Sequence, residues 1–272
     1  MTDMQRDANR GVGEGFSSTA TDYDAVLRHN FDGARRLVAS LPDRPYERLL
    51  DVGCGTGMST VIMLERFPQI RRVIGVDLSD GMLDVFRGRQ GELPGVELDI
   101  RHGDVMDMGV EPESVDVVIS SMAMHWFPDK PGAAARMAEP LAPGGVMGIL
   151  CSGTGGDQEY REVMAALDPP APPEWDATFD FALRDVDQME DYLLDAGLEP
   201  IDIWMERRIR HTTPEAYMER MRVVAGHVTS HLTTEELDDY SRRILEGMEA
   251  VSGPRGFRYT FNKLYAVAQK PE

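Results

Sequence analysis

The chain is short of cysteine, of positive charge and of long apolar runs, and each shortage removes a class of protein. Two cysteines in 272 residues, Cys54 and Cys151, cannot make a disulfide framework and read as packed thiols in a reducing compartment. No stretch approaches the roughly eighteen consecutive apolar residues of a membrane span, and the opening positions lack the basic-then-apolar pattern of a secretory signal. The protein is therefore expected to be soluble and cytoplasmic, without a membrane partner. Basic residues number 28 against 47 acidic ones, a formal net charge of −19, and a field of that sign repels phosphate backbones. Nucleic acid is not expected as a partner. Only three of the basic residues are lysines (Lys130, Lys263, Lys270), from which no function is read. Metal-ligand spacing is missing too: His227 and His231 lie four apart, but Val228 stands where a zinc protease motif needs its glutamate. No metal is expected.

What the chain does have is an alternation of strand and helix patterns. Residues 1–15 are polar with three glycines and are expected to form a mobile arm, and Ser17–Leu41 carries apolar residues at helical spacing, one or two helices. Strands are predicted at Arg48–Val52, Arg72–Asp77, Val96–His102, Val115–Ser120 and Gly145–Cys151, with helices such as Met58–Arg66 and Gly81–Arg89 between them. This order predicts an α/β, doubly wound, mainly parallel sheet, whose ligand site lies beyond the carboxyl ends of the strands. After a stiff Asp168–Pro173 connector, the pattern predicts a helix (Val186–Ala196), a strand (Pro200–Arg210), two helices (Thr213–Ala225, Thr233–Ser252) and a closing strand (Arg258–Gln269). The whole chain is expected to be one domain: an arm and helices over 1–45, a core over 46–153, a connector, helix and strand over 154–211, a helical lid over 212–253, and the closing strand over 254–272.

The most informative run is Leu49-Leu50-Asp51-Val52-Gly53-Cys54-Gly55-Thr56-Gly57. It leaves a strand and enters a helix, so its glycines form a tight turn that brings backbone close to a ligand. The third glycine of a dinucleotide fingerprint would fall at Met58, which argues against that cofactor. Asp51 directly ahead of the loop would repel a pyrophosphate but attract the sulfonium and ammonium groups of S-adenosylmethionine. Asp77 ends the second predicted strand, where a carboxylate binds ribose hydroxyls. Gly103-Asp104-Val105 ends the third, where Asp104 and the Val105 backbone suit an adenine edge.

With LLDVGCGTG, VIGVDLSDGML, RHGDV, SVDVVISSMAMHWF and LAPGGVMGIL in that order, Leu49–Cys151 resembles the seven-stranded class I methyltransferases. The resemblance implies a cofactor site for S-adenosylmethionine made by Asp51, Gly53, Cys54, Gly55 and Gly57 for the methionine portion, Asp77 for the ribose, and Gly103, Asp104 and Val105 for the adenine. Leu78 and Met82 would flank the adenine ring, and Ser120 and Ser121 would adjoin the donor.

The fourth strand runs into Ser120-Ser121-Met122-Ala123-Met124-His125-Trp126, in a loop that in this fold passes between methyl donor and acceptor. A small polar pair followed by His-Trp is similar to the carboxyl methyltransferases of small acids: the malonyl-carrier-protein enzymes of biotin synthesis, trans-aconitate methyltransferases and juvenile hormone acid methyltransferases. This likeness implies a small-molecule acceptor, carrier-linked acyl acids included. His125 is the candidate catalytic residue, and Tyr23, Met122, Trp126 and Arg222 are candidate acceptor contacts. A carboxylate acceptor is already ionised and needs no base; a phenol, enol or amine would need one, which His125 would then supply. C-, N- or phenolic O-methylation therefore stays open, as does a cofactor-binding assembly role without transfer. Oligomeric state is not readable.

Overall fold

In the computed structural model, described over residues 3–169, 183–225, 229 and 232–272, the sheet is built outward from Arg48–Val52 (β1). Leu49, Leu50, Asp51 and Val52 are all buried, as a strand covered on both faces requires. Arg72–Asp77 (β2) and Val115–Ser121 (β4) flank β1, Glu97–His102 (β3) lies outside β2, and Leu141–Ser152 (β5) lies outside β4, all parallel. Phe257–Gln269 (β7) then enters antiparallel beside β5, and Glu199–Thr212 (β6) pairs with β7 at the edge. The seven-stranded order is β3-β2-β1-β4-β5-β7-β6. It reverses between β1 and β4, so the loops leaving these two neighbours diverge and open a crevice.

Strand periodicity divides the core into two layers. Leu49, Val117 and Ile119 pack on one face, with Asp3–Val26 (α1) followed by Arg28–Ser40 (α2) and Met58–Arg66 (α3) supplying Leu37, Val38, Ile62 and Met63 from the latter two helices. Their neighbours Leu50 and Val118 pack on the other face, against Ala133, Ala134 and Met137 of Lys130–Ala138 (α5) and Met189 and Leu193 of Val186–Asp195 (α7). Asp80–Gly88 (α4) follows β2, started by Ser79, whose hydroxyl accepts from the Met82 N–H. A third cluster joins Gln158–Ala165 (α6), Pro214–Ala225 (α8) and Thr234–Val251 (α9) to the Phe257–Phe261 end of β7. Thr233 and Glu236 close a full capping box at the start of α9.

Two expectations change. The arm over residues 1–15 is not a free tail: from Asp3 it is helical and continuous to Val26, and a second helix follows after Leu27. Gly13 explains its seat, because a Cβ there would lie 2.8 Å from the Leu78 carbonyl oxygen, and a Cβ on Gly81 would meet Ser17 backbone at 2.7 Å. Glycine lets α1 lie almost backbone to backbone on the β2–α4 segment. The other change is α6, absent from the sequence expectation, which has Tyr160, Val163 and Met164 on its buried face. The proline run beyond Pro169 and the pair His227 and His231 lie outside the described residues. Among the described residues no helix is long and apolar enough to cross a membrane, and no cluster of His, Cys, Asp and Glu is arranged to hold a metal.

Candidate active site

The loop after β1 is folded back over β2. The N–H groups of Gly53 and Cys54 both donate to the Val76 carbonyl, at 2.8 and 3.1 Å, and Gly57 N–H donates to the Cys54 carbonyl. Asp77 at the end of β2 fastens the turn: one carboxylate oxygen accepts from Gly55 N–H at 2.8 Å, the other from Ser79 N–H at 2.9 Å. Gly55 adopts φ +52°, and a Cβ there would meet nothing within 4 Å, so the turn opens onto free space.

That space is a cavity lined by Gly53, Gly55, Asp77, Leu78, Met82, Gly103, Asp104, Val105 and Ser121, with Val12, Gly13 and Phe16 of α1 as part of its wall. Asp77, Asp104 and Asp129 line it, and among the described lining residues there is no Lys or Arg. Acids beside an apolar slot of Leu78, Met82 and Val105 suit a cationic nucleoside. A pyrophosphate would find no counter-charge here.

Four residues expected at the cofactor stand beneath this surface instead. Asp51 is fully buried and does not line this cavity; one carboxylate oxygen accepts from the Thr60 hydroxyl at 2.7 Å and the other is buried without a hydrogen-bond partner. Burial, opposed by the Thr60 hydrogen bond and reinforced by the charge of Asp77, pushes its pKa up to about 7. Asp51 can act on a bound cation only through the loop, as a buried charge. Cys54 packs with Leu83 and Phe86, and its thiol is pushed up by burial. Gly57, at φ +81°, is required by Phe86, whose ring a Cβ would strike at 2.2 Å. Ser120 is buried because successive strand residues face opposite sides, so only Ser121 of the pair reaches the cavity.

A second cavity adjoins the first. Phe16, Tyr23, Met122 and Trp126 line both and so form the wall between them. Phe16 meets Trp126 edge to face at 5.7 Å and Tyr23 at 6.2 Å, which makes α1 part of this wall. His125 lines the second cavity only. It is buried, its Nδ1 accepts from Ser152 N–H at 3.5 Å, and burial with the nearby charge of Lys130 lowers its pKa to about 3. The ring is neutral at physiological pH, and the Ser152 contact leaves its proton on Nε2.

Arg222 is corrected. It is exposed, pairs with Glu219 and Asp22, and lines neither cavity. Two positions earlier, on nearly the opposite helix face, Arg220 is buried in the second cavity and paired with Asp157. Its signal was in the sequence: the apolar residues Tyr217, Met221 and Val223 stand three, one and three positions from Arg220 and mark the buried stripe of α8. Asp157 and Asn262 of the same cavity were also missed, as contacts between segments distant in sequence.

Residues 50–149 match the model of a family described as a methyltransferase domain. The chain is 40% identical over 116 residues to a trans-aconitate 2-methyltransferase of Deinococcus radiodurans, covering 43% of this chain and 42% of that protein. It is 33% identical over 172 residues to a malonyl-[acyl-carrier protein] O-methyltransferase of Serratia marcescens, covering 62% and 63%. These alignments thus span about half the length of the curated relatives. A crystal structure of a provisional methyltransferase from Bacillus halodurans C-125 superposes with a TM-score of 0.63 at 20% identity, over 89% of this chain and 100% of that one, a likeness of fold. With the strand order and the glycine turn held by Asp77, residues 50–149 carry a methyltransferase domain, set in a seven-stranded sheet with the fold of the class I methyltransferases.

Proposed function

We propose that the protein uses S-adenosylmethionine to methylate a small carboxylic acid on oxygen. The observation that carries this reading is the lack of a usable base among the described residues that line the second cavity. His125, at about 3, is too weak a base to deprotonate a phenol or amine at neutral pH. Among the described residues, Asp157 is the one carboxylate lining this cavity, and it is occupied by Arg220 and by the Tyr217 hydroxyl at 2.7 Å. An acceptor here has to arrive already ionised, and a carboxylic acid does. The names of the similar proteins, methyltransferases of trans-aconitate and of a malonyl thioester, support the same class.

Asp77, Asp104, Leu78 and Met82 would hold the nucleoside, and Gly53 and Gly55 would admit the methionine portion. When bound, S-adenosylmethionine supplies a methyl group on a sulfonium, taken by a carboxylate oxygen while the S–C electron pair stays on sulfur, so no proton has to move. The protein's work is then alignment and exclusion of water. Phe16, Tyr23, Met122 and Trp126 stand where donor and acceptor meet, and His125 Nε2–H is a neutral donor to the carboxylate. Its low pKa argues against the base role that phenolic, carbon or nitrogen acceptors would demand.

The test is methyl transfer from isotopically labelled cofactor to a panel of carboxylic acids, followed by mild alkali. Labelled product released by alkali as methanol is the expected result. Label stable to alkali would overturn the ester assignment, and a cofactor that binds but transfers to none of a panel of acids, phenols and amines would favour a role without transfer.

A further inference from the structure

Among the described residues that line the two cavities, Arg220 is the one cation. It belongs to the second cavity alone, with Gly155, Gly156 and Asn262, and takes no part in the wall of Phe16, Tyr23, Met122 and Trp126 where the cavities meet. An acceptor whose reacting carboxylate lies at that wall, and whose body fills the second cavity, shares that cavity with the guanidinium.

The guanidinium is held but not saturated. Its Nη atoms reach Asp157 at 3.3 and 3.4 Å, long for charge-assisted hydrogen bonds, and its buried Nε–H has no partner. The aromatic rings of Tyr217, Tyr259 and Phe261 stand 5.3–5.7 Å from it and keep water away. Asp157 itself has φ 54°, a conformation uncommon outside glycine, and Met122 on the shared wall has φ 58°. Two uncommon left-handed backbone conformations thus line one cavity, a feature that clusters at ligand sites.

We propose that Arg220 is the specificity-determining residue of the acceptor cavity, binding a second carboxylate so that the preferred acceptors are small dicarboxylic acids. This inference rests on the carboxyl-methylation reading above. It adds the substrate's remote group and the residue that selects it.

The experiment compares glutarate with its half-amide glutaramate and with valerate, which share the reacting carboxylate and approximate length but lack the second charge. For the wild-type protein, kcat/KM for glutarate is expected to exceed that for either monoacid by about ten- to a hundredfold, the range for hydrogen bonds to a charged group. Arg220→Gln is expected to collapse that ratio toward one, mainly through KM for glutarate, while Arg220→Lys retains part of it. A purely structural Arg220 would depress all three acids equally and leave the ratio intact, which would overturn the proposal. Equal wild-type use of glutarate and glutaramate would overturn it without any variant, so an Arg220→Gln protein that fails to fold does not shelter it. Methylation of monoacids alone defeats this inference and leaves carboxyl methylation standing; methylation of no acid at all defeats the parent reading.

Discussion

Asp51 shows how the sequence can place a side chain without giving its direction. Its place ahead of the glycine turn is visible in LLDVGCGTG, but its direction is not, because strand alternation and the Thr60 hydroxyl together decide which way a buried carboxylate points. Burial gives it a testable titration. With a folded pKa of about 7, above the ordinary carboxylate value of 3.8, Asp51 contributes stability that is fully present below 3.8 and lost as pH rises through about 7. A sulfonium bound above the loop favours the ionised form, so cofactor affinity should move the opposite way. Calorimetry with S-adenosylmethionine and with its uncharged-sulfur product across this range is expected to show the ratio of affinities rising with pH through about 7. Asp51→Asn should flatten that rise; a ratio independent of pH in the wild type would mean that the buried charge does not reach the sulfur. Thr60→Val should act in the other direction on Asp51, raising its pKa further by removing its one side-chain hydrogen bond.

Among the elements, α1 is where the structure departs most from the sequence. Three glycines in a polar stretch look like a mobile arm because glycine disfavours helix by about 1 kcal/mol relative to alanine. The compensation is tertiary and leaves no local pattern. Gly13 meets the Leu78 carbonyl, Ser17 hydrogen-bonds Ser79 at 2.8 Å, and Asp24 accepts from Thr56 at 2.6 Å and pairs with Arg89, which itself donates to the Thr56 carbonyl. The strands and their flanking helices were legible for the opposite reason: their periodicity is local, and Leu49–Leu50 or Val117–Val118 announce two buried faces at once. Two glycines of α1 separate these effects. Gly11→Ala adds a methyl that meets nothing within 4 Å and is expected to raise thermal stability, by about 1 kcal/mol or less. Gly13→Ala drives a methyl into backbone and is expected to lift α1, at about 1–3 kcal/mol, with roughly tenfold or greater loss of cofactor affinity. Equal cofactor affinity in the two variants, measured by titration with S-adenosylhomocysteine, would detach α1 from the cofactor site.

At the scale of the molecule, the seven-stranded order makes one crevice and the chain's charge sets the conditions for reaching it. The crevice was legible because an order of strand, helix and parallel strand leaves few topologies, and all of them put ligands beyond the strand ends. The acceptor end was less so, since it is assembled from α1, the loop after β4, the Gly153–Asp157 turn, α8 and β7, far apart in sequence. On the proposed reading, a protein of net charge −19 has to admit an anion. Outside the cavity the field would repel it; inside, Arg220 would attract it at a buried site where salt screens little. The two effects separate by ionic strength. At about 0.01 M salt the screening length is about 30 Å and the whole negative surface acts on an approaching diacid, whereas at about 0.15 M it is about 8 Å and most of that repulsion is gone. KM for glutarate is therefore expected to fall severalfold as salt is raised between these limits, and KM for the monoanion glutaramate to fall less, because the repulsion scales with ligand charge. In Arg220→Gln the same salt-dependent fall should persist on a higher baseline, since the surface field is unchanged. A KM for glutarate that rises with salt in the wild type and not in the variant would mean that the attraction of Arg220 reaches beyond the cavity and outweighs the acidic surface.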